Sequence, residues 1–390
     1  MNDTLRQQMD RVQIMSLVVG LAVSVAFSIG ALFSSDPERF LRSYLLAFLF
    51  WVGVALGCTA LIMLQHLVSG GWGLIIRRLL ESGTRTLPLM ALLSLPILFG
   101  LPRLYIWARP EVVAADAVLQ HKALYLNVPF FVGRTIFYFA VWMLFAWLLS
   151  RWSAEQDRSG GPDVVRRMRA LSAPGLVVYV LTATFAALDW AMSLEPHWFS
   201  TAYGALFVVG QVLSALGFTI AVTMMLADRE PFAAVITRKR LNDLGNLLLA
   251  FVMLWAYISF SQFLIIWAGN LPEEITWYAH RIKGGWAVVA VVLLLFHFAV
   301  PFLILLSRGV KRKARSLGLV AAALFIIRLL DLYWTVIPAN GKAAVDFSWM
   351  DAAAPLGMGG IWLAVFVWQL KSRPLIPLND PLLQGEAPHE

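Results

Sequence analysis

Apolar residues in this chain fall in long runs, and ten can be placed. They are Val12–Phe33, Tyr44–Val68, Leu87–Trp107, Pro129–Ser150, Leu171–Leu194, Phe199–Ala227, Asp243–Ala268, Lys283–Leu306, Ser316–Ile337 and Ala354–Leu370. Each is close to or above the ~20 residues an α-helix needs to cross a bilayer's hydrocarbon core. The pattern predicts an all-α, polytopic membrane protein of about ten transmembrane helices. The first run follows a short polar stretch, MNDTLRQQMDR. It is too long for the apolar part of a signal peptide and lacks an obvious small-residue cleavage site, so it reads as a retained first span. Composition agrees: 60% of the residues are hydrophobic and 14% charged, where a soluble domain would carry about one-quarter charged.

The segments between the runs set the orientation. Ten spans put both termini on one side. Of the 31 Lys and Arg residues, 21 fall on that side and 8 on the other, leaving Arg134 and Arg328 inside spans. Basic loops stay in the cytoplasm, so both termini are expected there, and the +8 net charge belongs to loops rather than to a nucleic-acid-binding face. Residues 1–373 then form an integral membrane domain, and 374–390 a Pro-rich cytoplasmic tail, extended and either disordered or laid on a partner. Trp72–Leu80 reads as a short amphipathic helix on the cytoplasmic face. Ser150–Ala170 reads as an exposed connector.

Candidate chemistry lies in the few ionisable groups placed among apolar residues. Leu188–Thr201, LDWAMSLEPHWFST, is a very short outward connection between two spans. Asp189 stands six residues before Glu195, roughly 9 Å along a helix axis, and so at or inside the hydrocarbon boundary. Pro196 ends the span, and His197 and Trp198 follow at the interface. Arg134 comes early in the fourth run. Arg328 and Asp331 share one helical face at i, i+3, and Gln262 lies in the outer half of its span. Two readings are open. Asp189, Asp331, Arg134, Arg328 and Gln262, with Glu195 and His197 at the mouth, form an outward proton half-path; or Arg134–Asp189 and Arg328–Asp331 are simple neutralising pairs.

No catalytic or metal site is expected. The single cysteine, Cys58, cannot form an intrachain disulfide or hold an iron–sulfur cluster. His66 and His297 on different helices could ligate a b-type haem, but a lone membrane histidine is more often a hydrogen-bonded interior group. Phosphate-loop, HExxH and GxSxG motifs are absent from the sequence.

Three stretches carry a family resemblance. They are His121–Arg134 (HKALYLNVPFFVGR), the Leu188–Thr201 segment, and Asn242–Arg281 (NDLGNLLLAFVMLWAYISFSQFLIIWAGNLPEEITWYAHR). Together they resemble the second quinone-type integral membrane subunit of bacterial alternative complex III, within the polysulfide-reductase-type, NrfD-like membrane family. The resemblance covers most of residues 40–340. It implies two four-helix bundles, spans 2–5 and 6–9, flanked by spans 1 and 10. It also implies a quinol:cytochrome c oxidoreductase complex in the bacterial inner membrane. The implied partners are a sister NrfD-like subunit, a periplasmic iron–sulfur subunit, multihaem cytochrome c subunits and a terminal oxidase, with lipid around them. Haem c and iron–sulfur clusters then belong to partner subunits, and quinone or quinol to the complex. In such subunits the role is a proton path and scaffold without a redox cofactor of its own. A quinol pocket in this chain is the alternative, and a secondary transporter a third reading.

Reporter fusions test the orientation. A fusion after Arg373 is expected to report the cytoplasm and one within Leu194–Trp198 the opposite side; an outward C-terminus would overturn it.

Overall fold

The computed structural model of the chain describes residues 3–33, 36–340, 345–380 and 383. Every regular element among them is helical, and ten stretches are long and apolar enough to cross a membrane. They are span 1 (Asp3–Leu32), span 2 (Glu38–Val68), span 3 (Gly71–Phe99), span 4 (Val128–Ser159), span 5 (Pro162–Leu194), span 6 (Ala202–Met225), span 7 (Arg238–Gly269), span 8 (Trp286–Leu306), span 9 (Ala314–Ala339) and span 10 (Trp349–Lys371). The multi-pass, all-helical expectation holds.

Local signals set the helix ends. Asp36 accepts the Arg39 N–H at 3.0 Å and opens span 2, and Asn127 accepts the Phe130 N–H at 2.9 Å and opens span 4. Such caps satisfy N–H groups that the first helical turn leaves without partners. Span 10 opens on a Ser348–Asp351 capping box. Asp351 also joins span 10 to span 2: Arg39 pairs with it and the Ser43 hydroxyl donates to it at 2.6 Å.

Span 2 is the central helix. In its most apolar window 94% of residues are buried, against 11% for span 1. Span 2 packs on spans 3, 5, 6 and 10, while span 1 rests mainly on span 10. Without a hydrophobic drive between helices in lipid, close association needs small residues at the contact. Gly20 of span 1 and Gly360 of span 10 supply them. A Cβ at Gly20 would come within 2.6 Å of the Ile361 nitrogen, and one at Gly360 within 2.5 Å of the Gly20 Cα.

Three expectations change. Span 3 begins at Gly71, not at Leu87, and ends at Phe99. Pro102 and Pro110 open new short helices beyond it, and the stretch up to Lys122 consists of short helical turns. The Trp72–Leu80 segment is not a surface helix: every residue from Trp72 to Thr84 is buried. Its polar face is amphipathic because it meets a polar cluster inside the protein. The Ser150–Ala170 connector is absent, because span 4 runs on to Ser159 and span 5 starts at Pro162. Only Gly160, at φ +62°, and Gly161 break the helix. The good helix formers of that stretch extend both helices. Between spans 7 and 8, Pro272–Arg281 forms a helix, with Glu273 and Glu274 in its first turn and His280 and Arg281 in its last, as the helix dipole favours.

Both chain ends meet at one end of the molecule. Lys371 pairs with Asp10, and the Arg373 guanidinium donates to the Ser150 hydroxyl at 3.0 Å. Of the tail, residues 374–380 are described, and they lie against the chain itself. Leu375 and Ile376 are buried, Asn379 donates to the Asp157 carbonyl at 3.0 Å, and Asp380 pairs with Arg77 at 2.9 Å. Pro381 and Pro388 of the tail, and Lys342 of the outer charge count, lie outside the described residues.

Gly20→Leu is expected to lower stability by about 1–3 kcal/mol through overpacking at the span 1–span 10 contact. Gly133→Ala, where an added methyl meets nothing within 4 Å, is expected to leave the thermal midpoint in detergent unchanged.

Candidate functional site

Asp189, near the C-terminal end of span 5, has no exposed surface. Its carboxylate accepts two parallel bonds from Arg134 of span 4, Nε to Oδ2 and a terminal nitrogen to Oδ1, both 2.8 Å. The Tyr138 hydroxyl, one helical turn further along span 4, donates to Oδ2 at 2.8 Å. A bidentate guanidinium–carboxylate pair is the strongest neutral arrangement available to a buried acid. Arg134 is itself held by the Tyr125 carbonyl at 3.0 Å and lies between the rings of Tyr125 and Phe130, 3.9 and 4.3 Å from their centroids. Below the pair sits an aromatic block of Tyr138, Phe139, Trp142 and Trp190. The structure therefore brings Arg134 and Asp189 together as expected.

The second pair is built less completely. Arg328 and Asp331 on span 9 meet through one carboxylate oxygen, Oδ2. That oxygen also accepts the Trp255 indole N–H of span 7 at 3.2 Å, and Arg328 Nε has no hydrogen-bond partner among the described residues. Gly210 of span 6 makes room for the guanidinium, since a Cβ there would lie 2.2 Å from an Arg328 nitrogen. Against Trp255 packs His297 of span 8, with ring centroids 4.0 Å apart. His297 is fully buried and both of its ring nitrogens are without a partner among the described residues. It sits in a π-helical turn, Leu294–Ala299. Pro301 has no N–H to return to the His297 carbonyl four residues back, and the wider turn accommodates that. Single π turns inside helices recur at functional sites.

The outer groups divide differently from expectation. Glu195 receives a 2.6 Å bond from Arg281 and stands 3.3 Å from His280 Nδ1. Burial lowers the Arg281 pKa, against which the Glu195 carboxylate acts. Tyr203 lies in electrostatic range of Glu195, Arg281 and Arg328, so this outer pair and the span 9 pair share a neighbour. The Tyr105 hydroxyl donates to the Trp190 carbonyl at 2.8 Å. His197 turns away from Glu195: its Nε2 is 2.6 Å from Asp116 and the side chain is 52% exposed. Asp116 is held below the usual carboxylate range, first by that bond and then by the Leu119 backbone N–H. Its contribution to stability is present above its unfolded pKa and fades as pH falls through the depressed folded value. Gln262 is buried and accepts from the Ser200 hydroxyl at 3.2 Å.

A further cluster, not anticipated from the sequence, fills the opposite end. Glu81 is shared by Arg77 at 3.0 Å and Arg78 at 2.6 Å, and the Ser153 hydroxyl donates to it at 2.6 Å. Arg77 continues to Asp380 at 2.9 Å and Gln156 at 2.6 Å, and Arg78 to Asp157. His66 is buried in electrostatic range of Arg77 and Glu81. His297 has Arg328 as its charged neighbour instead, so the two histidines of the candidate haem pair have different surroundings. Between the two ends run buried polar groups. The Trp142 indole donates to Thr182 at 2.8 Å, and the Tyr179 hydroxyl donates to Gln211 at 2.8 Å. Three or more His, Cys, Asp or Glu side chains grouped for a metal ion do not occur among the described residues.

Comparison of the sequence with protein families and with curated proteins returns no match.

Removing one partner of a buried ion pair strands the other. Asp189→Ala is expected to destabilise the protein by about 3–5 kcal/mol. Asp189→Leu combined with Arg134→Met is expected to recover most of that loss in unfolding measurements in detergent. Additive losses would contradict the pairing.

Proposed function

We propose that this chain is a membrane subunit of a quinol-oxidising respiratory complex of the alternative complex III kind, in which it conducts protons and holds the assembly together. In this reading it binds no redox cofactor of its own. Spans 2–5 and 6–9 are two four-helix bundles flanked by spans 1 and 10, and the mutual packing of spans 1 and 10 supports that arrangement. Its partners are a sister membrane subunit, a periplasmic iron–sulfur subunit, multihaem cytochrome c subunits and a terminal oxidase. It resides in the bacterial inner membrane with both termini in the cytoplasm, supported by the 21-to-8 distribution of basic residues.

One observation carries the proton-path reading: His297, without a hydrogen-bond partner among the described residues, beside the half-satisfied Arg328–Asp331 pair. Buried polar atoms without protein partners are uncommon, and water or a moving neighbour usually serves them. A proton path needs such capacity, because each relay group must bond first one neighbour and then the next. Asp331 and His297 are therefore the exchanging groups of the half-path. Glu195, Arg281 and Tyr203 lead outward from Asp331, with Gln262 close by. Asp189 has every bond it needs from Arg134 and Tyr138, and acts as the fixed counter-site, with His197 and Asp116 at the surface.

A quinol pocket is the second reading, favoured by the same imidazole, indole and carboxylate, which could bond a quinone oxygen. The readings separate in the intact complex reconstituted into vesicles. Asp331→Asn is expected to leave quinol turnover intact and cut proton movement through the path roughly 100-fold, the lower end of what a positioned proton-transfer group contributes. Asp189→Asn is expected to affect assembly more than proton movement. Loss of quinol binding in Asp331→Asn or His297→Gln would favour the pocket. Unchanged turnover and proton movement in both aspartate variants would overturn the path.

A further inference from the structure

At the end of the molecule that carries both termini, a cleft of about 350 Å³ opens between spans 3, 4 and 10. Its size falls within the roughly 300–1,000 Å³ range of ligand sites. Three arginines line it, Arg85, Arg151 and Arg373, together with Ser150, Met143 and Trp147. Neither Arg85 nor Arg151 forms an ion pair among the described residues; Arg85 donates to the Ser372 hydroxyl at 3.1 Å and Arg151 lies 5.5 Å from the Trp147 ring centre. Arg373 donates one terminal nitrogen to Ser150 at 3.0 Å. Its other terminal nitrogen is buried, 3.7 Å from Glu81 and without a hydrogen bond.

Glu81 has little to offer this side, since Arg77 and Arg78 already hold it. Counting Arg77, Arg78, Arg85, Arg151 and Arg373 against Glu81, Asp157 and Asp380 leaves two positive charges uncompensated where the cleft opens. Guanidinium groups match phosphate oxygens in geometry and charge. Beyond Ser150 and Gln369 the wall is apolar: Met143 and Trp147 stand one turn apart on span 4, and Trp147 is 56% exposed. Tryptophan is the residue of the headgroup level. Cationic groups at the lip with an apolar wall running into the membrane fit a phosphate that carries acyl chains better than a free anion.

We propose that this cleft binds the headgroup of an anionic phospholipid, with the phosphate among Arg85, Arg151 and Arg373 and the acyl chains along Met143 and Trp147. Basic pockets between spans on the cytoplasmic side take such headgroups. The site is separate from the Asp189 and Asp331 pairs at the other end, so it does not depend on the proton-path reading.

The test uses the full chain in a neutral detergent, with acyl-labelled phosphatidylglycerol as ligand, phosphatidylcholine as the zwitterionic comparison and inorganic phosphate as competitor. Phosphatidylglycerol is expected to bind and phosphatidylcholine to bind much more weakly. Inorganic phosphate at equal concentration is expected to leave the lipid bound. Arg85→Gln with Arg151→Gln is expected to weaken lipid binding roughly 30-fold. Should that variant fold poorly, Arg151→Gln alone, at an exposed position, is expected to weaken it roughly fivefold. Arg166→Gln, also exposed but outside the cleft, is expected to change nothing. Equal binding of both lipids, full displacement by phosphate, or wild-type binding in the arginine variants would each overturn the proposal. Exclusion of the lipid from the cleft in the assembled complex, with a partner polypeptide in its place, would overturn it as well.

Discussion

A carboxylate that has lost all contact with solvent must find every hydrogen bond and its counter-charge inside the protein. Asp189 does so with three bonds of 2.8 Å, two from Arg134 and one from Tyr138. Those bonds tie the start of span 4 to the end of span 5 and set the aromatic block beneath them. The same constraint repeats elsewhere in the molecule. Asp351 is met by Arg39 and Ser43, Glu81 by Arg77, Arg78 and Ser153, and Asp331 by Arg328 and Trp255. Each buried acid therefore fixes two or more spans relative to one another. In lipid, where apolar surfaces gain little by meeting each other, these pairs and the close glycine contacts do much of the aligning.

The four acids are not equivalent. Asp189, Asp351 and Glu81 have both carboxylate oxygens engaged. Asp331 is bonded through one oxygen, next to an arginine and a histidine that retain unused nitrogens. A saturated site resists change, because protonating it would break bonds that nothing replaces. An unsaturated one can exchange partners at small cost. This difference divides the two aspartates that the residue pattern treats alike, and the proposed split between scaffold and relay rests on it.

Spans and strongly local pairs are legible in the chain. Arg328–Asp331 follows from helical spacing, and the isolation of Asp189 and Arg134 in apolar runs forces them toward each other. What escapes sequence reasoning depends on partners remote in the chain. The helix Gly71–Thr84 reads as a surface helix because its buried partners, Gln156, Asp157 and Asp380, come from span 4 and from the tail. His197 looks like a mouth residue beside Glu195, yet Asp116, from the short helices after span 3, draws it away. His297 looks like an ordinary interior histidine. Pro301, four residues on in the same span, is the one local clue that its helix departs from regular geometry.

Asp331 is proposed to exchange a proton during turnover while Asp189 stays fixed. Infrared difference spectroscopy on the intact complex, with carboxyl bands assigned through isotope-labelled aspartate and the two asparagine variants, reads this directly. The account predicts a protonated-carboxyl band that appears or shifts on quinol addition, is lost in Asp331→Asn and is kept in Asp189→Asn. A band lost in Asp189→Asn but kept in Asp331→Asn, or no aspartate band at all, would contradict it.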